Sequence, residues 1–204
     1  GTRGDTGPTG AAGEAGTGAR GDTGPTGVQG PPVEYTDTIA IGTNAGQTNQ
    51  GTGCIAIGGD AGRFSQGGNA VAIGNNAGQS TQGKDAVAIG RDAGQTGQGQ
   101  YAVAIGTSAG QTAQGIYAVS IGQKAGQSTQ GVFSVAIGNN AGQSTQGQNA
   151  VAIGREAGQT GQGNYAVAMG RWAGQRAQGT NSVAIGRQAG RYTQGQYAVA
   201  IGRQ

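Results

Sequence analysis

The chain has 204 residues and a formal charge of +3, with 10% of its residues charged and 47 of them glycine. It has no His, one Cys, one Met, one Trp and two Phe. This composition excludes an ordinary globular core of large side chains, a highly charged disordered linker and a dense phosphate-tracking surface.

Residues 1–32 place glycine at 1, 4, 7, 10, 13 and 16, then at 18, 21, 24, 27 and 30. Apart from the short step at Gly16-Thr17, this is a G-X-Y period, which predicts a collagen-like triple helix because only glycine fits its crowded axis. A triple helix needs three copies, so a homotrimer is expected. Proline is sparse (Pro8, Pro25, Pro31 and Pro32), and the missing residue at 16–18 predicts a local break. Residues 33–39 read as a bridge.

From residue 40 to 204 a second period takes over. Ile-Gly or Met-Gly recurs at Gly42, Gly58, Gly74 and onward to Gly202 at one constant spacing, which marks a stacked repeat architecture with a 16-residue unit. In Ala86-Val87-Ala88-Ile89 the alternation is that of a strand, with a bulky and a small face. The bulky face is expected to fill a narrow interior. The small face would let another layer approach, either the second strand of a flattened coil or another subunit. The expected core is therefore Val71, Ile73, Val87, Ile89, Val103, Ile105, Val119, Ile121, Val135, Ile137, Val151, Ile153, Val167, Met169, Val183, Ile185, Val199 and Ile201. The segment after Ala77-Gly78 reads as a weaker strand, and Gly83 and Gly90 as corners where a Cβ would clash or φ must be positive. Stacked parallel rungs about 4.8 Å apart would give a rod of roughly 50 Å.

One column holds glutamine in every repeat: Gln50, Gln66, Gln82, Gln98, Gln114, Gln130, Gln146, Gln162, Gln178 and Gln194. Neighbouring slots vary freely (Lys84, Gln100, Ile116, Val132 and Thr180 share one), so a structural amide column is expected, bonding to the next rung or to turn backbone. Two variable columns read as outer surface. One runs Asn69, Asp85, Tyr101, Tyr117, Phe133, Asn149, Tyr165, Asn181 and Tyr197; the other runs Asp60, Asn76, Asp92, Ser108, Lys124, Asn140, Glu156, Trp172 and Gln188. Their aromatics either stack from rung to rung or, at Tyr165 and Trp172 and with Tyr192 beside them, contact a ligand. Cys54 takes the slot of Ala70, Ala86 and Ala102 and reads as a small tucked-in residue.

With AVAIG or SVAIG recurring once in each repeat, the chain resembles the head repeats of YadA-like trimeric autotransporter adhesins. The resemblance covers about residues 38–204. It implies an all-β fold, a left-handed parallel β-roll closed as a trimer. Matching roles fall on Ser134-Val135-Ala136-Ile137-Gly138 and Ser182-Val183-Ala184-Ile185-Gly186. The 16-residue unit, the AGQxxQG half and the collagen-like stretch before it depart from the usual adhesin head. Phage tail fibres, large-virus surface fibres and bacterial surface filaments are similar in mixing collagen-like segments with trimeric β-structure.

Chemistry is sparse. Asp60, Asp92 and Glu156 share one outward column and form no catalytic dyad, and neither a phosphate loop nor a calcium-binding nonapeptide is present. No enzyme activity, cofactor or metal is expected. Arg3-Gly4-Asp5 and Arg20-Gly21-Asp22 spell a cell-attachment tripeptide that G-X-Y text also generates by itself. Between Asp60 and Arg203 basic residues outnumber acidic ones ten to four, read as a thin spread suited to anionic surfaces or glycans rather than nucleic acid. No apolar run is long enough for a membrane helix. Gly1 opens inside one repeat pattern and Gln204 stops inside another, so both ends read as cut from something longer, and the absence of a leader says nothing about export. The expected role is a rigid shaft in an extracellular or virion-surface fibre, or else a head that contacts glycans, matrix or a host surface. Ice binding by a flat face would need a threonine ladder, and the column with Thr48, Phe64, Ser80, Arg176 and Tyr192 breaks it.

Overall fold

A computed structural model describes residues 38–203. The segment expected to be collagen-like (1–32), its two tripeptides and residues 33–37 lie outside the described residues. Those described form a parallel β-solenoid with one coil per sequence repeat. Each coil carries one strand of the form Val87–Ile89, and most carry a second of the form Thr96–Gln98. The first kind stacks into an eleven-stranded sheet from Ile39–Ile41 to Val199–Ile201, the second into a nine-stranded sheet from Thr48–Gln50 to Arg176–Gln178.

Register follows the repeat residue for residue. Val87 pairs with Val103, Ala88 with Ala104 and Ile89 with Ile105. In the shorter sheet Ser80 pairs with Thr96 and Gln82 with Gln98, while the residues between them are skipped. The reason is local: Thr81 and Gly97 sit at φ of 57° and 68°, which turns the middle of that strand out of the ladder. The corners differ in cause. Gly90 has φ of 123°, and a Cβ there would come 2.8 Å from the Gly106 carbonyl oxygen of the next rung. At Gly83 the obstacle is space alone, since a Cβ would stand 2.5 Å from the Gln100 amide nitrogen.

The interior reverses the sequence expectation. Ala86 and Ala88 are fully buried, as are their counterparts along most of the rod, and the stacked alanines are the core. Val71, Ile73, Val87, Ile89, Val103, Ile105 and their counterparts through Val199 and Ile201 point outward and keep part of their surface in contact with solvent. Width explains the inversion. A Cβ placed on Gly94 would come 3.2 Å from the Ala88 Cβ and 2.6 Å from the Gln98 Oε1, so the coil is already full at the size of a methyl group. A Val or Ile turned inward has nowhere to go.

The invariant glutamines occupy this interior. Gln98 is 3% exposed, and its Nε2 donates to the Val87 carbonyl at 2.8 Å and the Ala102 carbonyl at 3.3 Å. From Gln66 to Gln178 each such amide therefore ties the short-sheet strand to the long-sheet strand of its own coil, whereas Gln50 Nε2 donates to the Thr48 and Gly62 carbonyls. Bonds between successive members of this column occur at Gln130 to Gln146 and Gln162 to Gln178, both 3.2 Å. The Oε1 atoms of Gln66, Gln82, Gln98, Gln114, Gln162 and Gln194 are buried without a donor. Ser120 shows the remedy: it replaces the usual alanine, and its Oγ donates to Gln130 Oε1 while accepting from Gln114 Nε2. It also separates the alanine core into two stacks, Ala56 to Ala109 and Ala125 to Ala184.

Two outcomes follow from this packing. Ala88→Ser places a hydroxyl where Ser120 has one, in the coil of a glutamine, Gln98, whose Oε1 lacks a donor. It should stabilise by about 1 kcal/mol, seen as a melting midpoint raised by roughly 2–4 °C. Gln98→Glu sets a carboxylate against two carbonyls in a site with no donor. Burial then raises its folded-state pKa above the unfolded value, so the penalty is full at neutral pH. It fades as pH falls through the folded pKa, because the protonated acid can donate to Val87. Urea unfolding at pH 7 should show a loss on the order of 3 kcal/mol that shrinks in acid. A loss that grows in acid contradicts the arrangement.

Candidate interaction surfaces

Both variable columns lie on the outer turns, and their residues share a left-handed backbone. Asn76, Asp92 and Trp172 have φ of 56°, 58° and 64°, and Asp85, Tyr101 and Tyr165 have 57°, 59° and 57°. Asn and Asp adopt this conformation most readily of the non-glycine residues. The carboxylates here serve the turns: Asp92 accepts from Asn76 Nδ2 at 2.9 Å, Asp85 from Asn69 at 3.0 Å and Asp60 from Asn44 at 3.0 Å. Ion pairs such as Arg91–Asp92 at 3.7 Å are largely solvated and add little.

Three successive bulky residues at these turns stack on one another. Tyr101 lies on Tyr117 with ring centroids 4.7 Å apart, and Tyr117 on Phe133 at 5.1 Å. Each stacked pair contributes about 0.5–1.5 kcal/mol, similar in size to the cost of a left-handed backbone at a non-glycine residue, about 1–2 kcal/mol.

A second glutamine column, after each Ala-Gly, forms the rung-to-rung amide ladder. Gln111 donates to Gln95 at 3.0 Å, Gln127 to Gln111 at 2.9 Å, Gln143 to Gln127 at 3.0 Å, Gln159 to Gln143 at 3.1 Å and Gln175 to Gln159 at 3.0 Å. Arg191 Nε continues it by donating to Gln175 Oε1 at 2.9 Å. Sequence reasoning passed over this column because Arg63 and Arg191 interrupt it. Both arginines nonetheless make the same bond, Arg63 to Gln47 at 2.9 Å.

Of the three aromatic ligand candidates, the structure joins two. The Trp172 ring is flanked by Arg171 at 3.7 Å, Arg191 at 4.8 Å and Arg155 at 5.3 Å, and Arg191 also lies 5.1 Å from the Tyr192 ring. Trp172 Nε1 donates to Glu156 Oε2 at 3.0 Å, and Gln175 Nε2 donates to the same oxygen at 2.7 Å. Tyr165 stands in the other turn column, 57% exposed. Desolvation, then the guanidinium groups of Arg155 and Arg187, lower the pKa of Arg171, and Glu156 opposes them in part. An open hollow of about 560 Å³ lies beside this region, lined by Gln159, Thr160, Gly161, Arg176 and Ala177.

The outer face of the long sheet is a different surface. Its large side chains are aliphatic on every strand from Ile39–Ile41 to Val199–Ile201, and Ile105, Ile121, Met169 and Ile185 remain 36–40% exposed in the single chain. Two such side chains per rung over eleven rungs make a continuous apolar stripe of at least several hundred Å², above what a lone soluble chain usually shows. Among the described residues no cluster of His, Cys, Asp and Glu could hold a metal, and no helix is long and apolar enough to cross a membrane. Cys54 is a free, buried thiol whose Sγ donates to the Gly67 carbonyl at 3.0 Å.

Residues 113–141 and 176–190 match the family model described as the YadA head domain repeat, in two copies. These spans include the strands Val119–Ile121, Val135–Ile137 and Val183–Ile185. The chain is thus a β-solenoid, and the rungs within these two spans match that repeat family. No curated protein and no solved structure matches the chain.

The turn energetics make one comparison decisive. Tyr117→Ala removes two stacked contacts and leaves a left-handed alanine. It should cost about 1–3 kcal/mol in thermal or urea unfolding. Tyr117→Asn loses the same contacts but places a residue suited to the turn, so its cost should be smaller by up to about 1 kcal/mol.

Proposed function

We propose that the chain is the shaft of a homotrimeric surface fibre, with three left-handed solenoids packed through their Val/Ile faces and continuing from a collagen-like triple helix. One observation carries the reading: the solenoid fills itself with alanine and turns every large aliphatic of the long sheet outward. Left in water, that stripe would forfeit about 25 cal/mol per Å² of apolar area. A second and third copy, each presenting the same stripe in the same register, cover it at once. The G-X-Y period of residues 1–32 supports the same stoichiometry from the sequence side. Near-identical rungs suit a spacer, because they offer stiffness at any length and little to distinguish one rung from the next. An extracellular or virion-surface location fits the fibre reading and the match to the head-repeat family. The C-terminal arginine and tryptophan cluster is the feature that favours a recognition role beside the structural one.

Sedimentation equilibrium of the chain tests the assembly. The expected mass is three times 19.7 kDa. Lysine at Val119, Val135 and Val151 together should lower the melting midpoint sharply and weaken association, whereas Ile at the same positions should preserve both. A folded monomer that tolerates the lysines contradicts the proposal.

A further inference from the structure

We propose that the C-terminal rungs bind an acidic polysaccharide along a column of stacked arginines. Arg155, Arg171, Arg187 and Arg203 each follow the corner glycine of successive coils, and the long-sheet register sets those coils directly over one another through Ile153, Met169, Ile185 and Ile201. The backbone positions that carry these arginines therefore repeat at about the strand spacing, roughly 4.8 Å per rung. All four arginines are exposed. Residues 155–203 hold six arginines and one carboxylate, Glu156, whereas residues 93–154 hold Lys124 as their one charged side chain. The basic residues are thus concentrated at one end of the solenoid and are not spread thinly.

The cluster has little internal neutralisation. Glu156 is the one carboxylate against six arginines in residues 155–203 and offsets their charge only in part; its Oε2 accepts from Trp172 and Gln175, and Trp172 lies among three guanidinium groups and helps to order them. Like charges held in a row and partly ordered in advance favour a ligand with regularly spaced anions and disfavour isolated small ions. Guanidinium recognises sulfate and carboxylate through paired donors. The Gln159/Thr160/Arg176 hollow next to the cluster adds amide, hydroxyl and guanidinium donors of the kind that sugar hydroxyls accept from. Single-stranded nucleic acid would want an open aromatic platform, and the Trp172 ring is instead covered by arginines. The choice of an extracellular polysaccharide rests on the fibre reading; the arginine column itself belongs to one chain and needs no trimer.

The test is binding of the chain to immobilised heparin, hyaluronan, uncharged dextran and duplex DNA over a salt series, with sedimentation of every sample. The chain should be retained on heparin or hyaluronan in a salt-sensitive way and should not be retained on dextran; stronger retention on heparin than on hyaluronan assigns sulfate, the reverse carboxylate. Replacing Arg155, Arg171, Arg187 and Arg203 by Gln should weaken retention roughly tenfold or more. Replacing Arg63, Lys84 and Arg91 by Gln should leave it within about twofold. Equal losses in both variants, no loss in the first, equal retention on dextran, or tighter binding to DNA than to either polysaccharide would each overturn the proposal. If the fourfold variant loses its β-sheet signal, Arg187→Gln with Arg203→Gln, outside the contacts to Trp172, takes its place. A loss of roughly threefold supports the column, and none refutes it. A monomer that shows the expected pattern keeps this site and removes the shaft reading; a trimer that lacks it does the opposite.

Discussion

The width of the coil governs this molecule. Two three-residue strands and their turns enclose space for alanine methyls and one glutamine amide per rung, with a serine hydroxyl or a thiol at single places. That limit accounts for the alanine core, for the glycine opposite each alanine, and for the invariant glutamine that ties the two sheets together. It also forces the valines and isoleucines outward. An ordinary domain buries its largest apolar side chains within itself; here one chain buries its smallest and leaves its valines and isoleucines partly exposed on the outer face.

The same economy shapes the outside. Each coil closes through left-handed turn residues, and Tyr101, Tyr117, Phe133 and Trp172 there meet a ring, a carboxylate or a guanidinium of a neighbouring residue. Interactions run mainly along the rod axis: amide to amide in the Gln79 to Gln175 column, Asn to Asp in the turns, ring on ring from Tyr101 to Phe133. A rod built this way draws its stability from neighbouring rungs, so internal rungs are supported on both sides and end rungs on one.

Much of this was legible in the sequence, because period and alternation are direct consequences of geometry. The regular return of Ile-Gly gave the coil, Val87-Ala88-Ile89 gave the strand, and Gly83 and Gly90 gave the corners, one for lack of space and the other also for its positive φ. Which face of the strand looks inward was not legible, because alternation is the same in either sense and only the coil width decides it. The interior glutamines stood out by invariance, yet their cross-coil bonds depend on how near Val87 and Ala102 lie to Gln98 in space. The axial amide ladder escaped notice because its column contains Arg63 and Arg191, which make the same bond with different chemistry. The arginine column could have been read by applying the repeat period to charge as well as to hydrophobicity.

The most direct test of the inside-out core uses cysteine chemistry in a Cys54→Ala background, since the sister repeats carry alanine in that slot. Single cysteines are placed at Ala152, which is fully buried, and at the adjacent Val151 on the outer face, and the native protein is exposed to a mild oxidant and a water-soluble thiol reagent. With valine outward and copies packed through that face as proposed, the cysteine at 151 should react and cross-link one chain to another, while the cysteine at 152 should neither cross-link nor react until the protein unfolds. A reactive or cross-linked cysteine at 152, with an inert one at 151, would contradict the inside-out core.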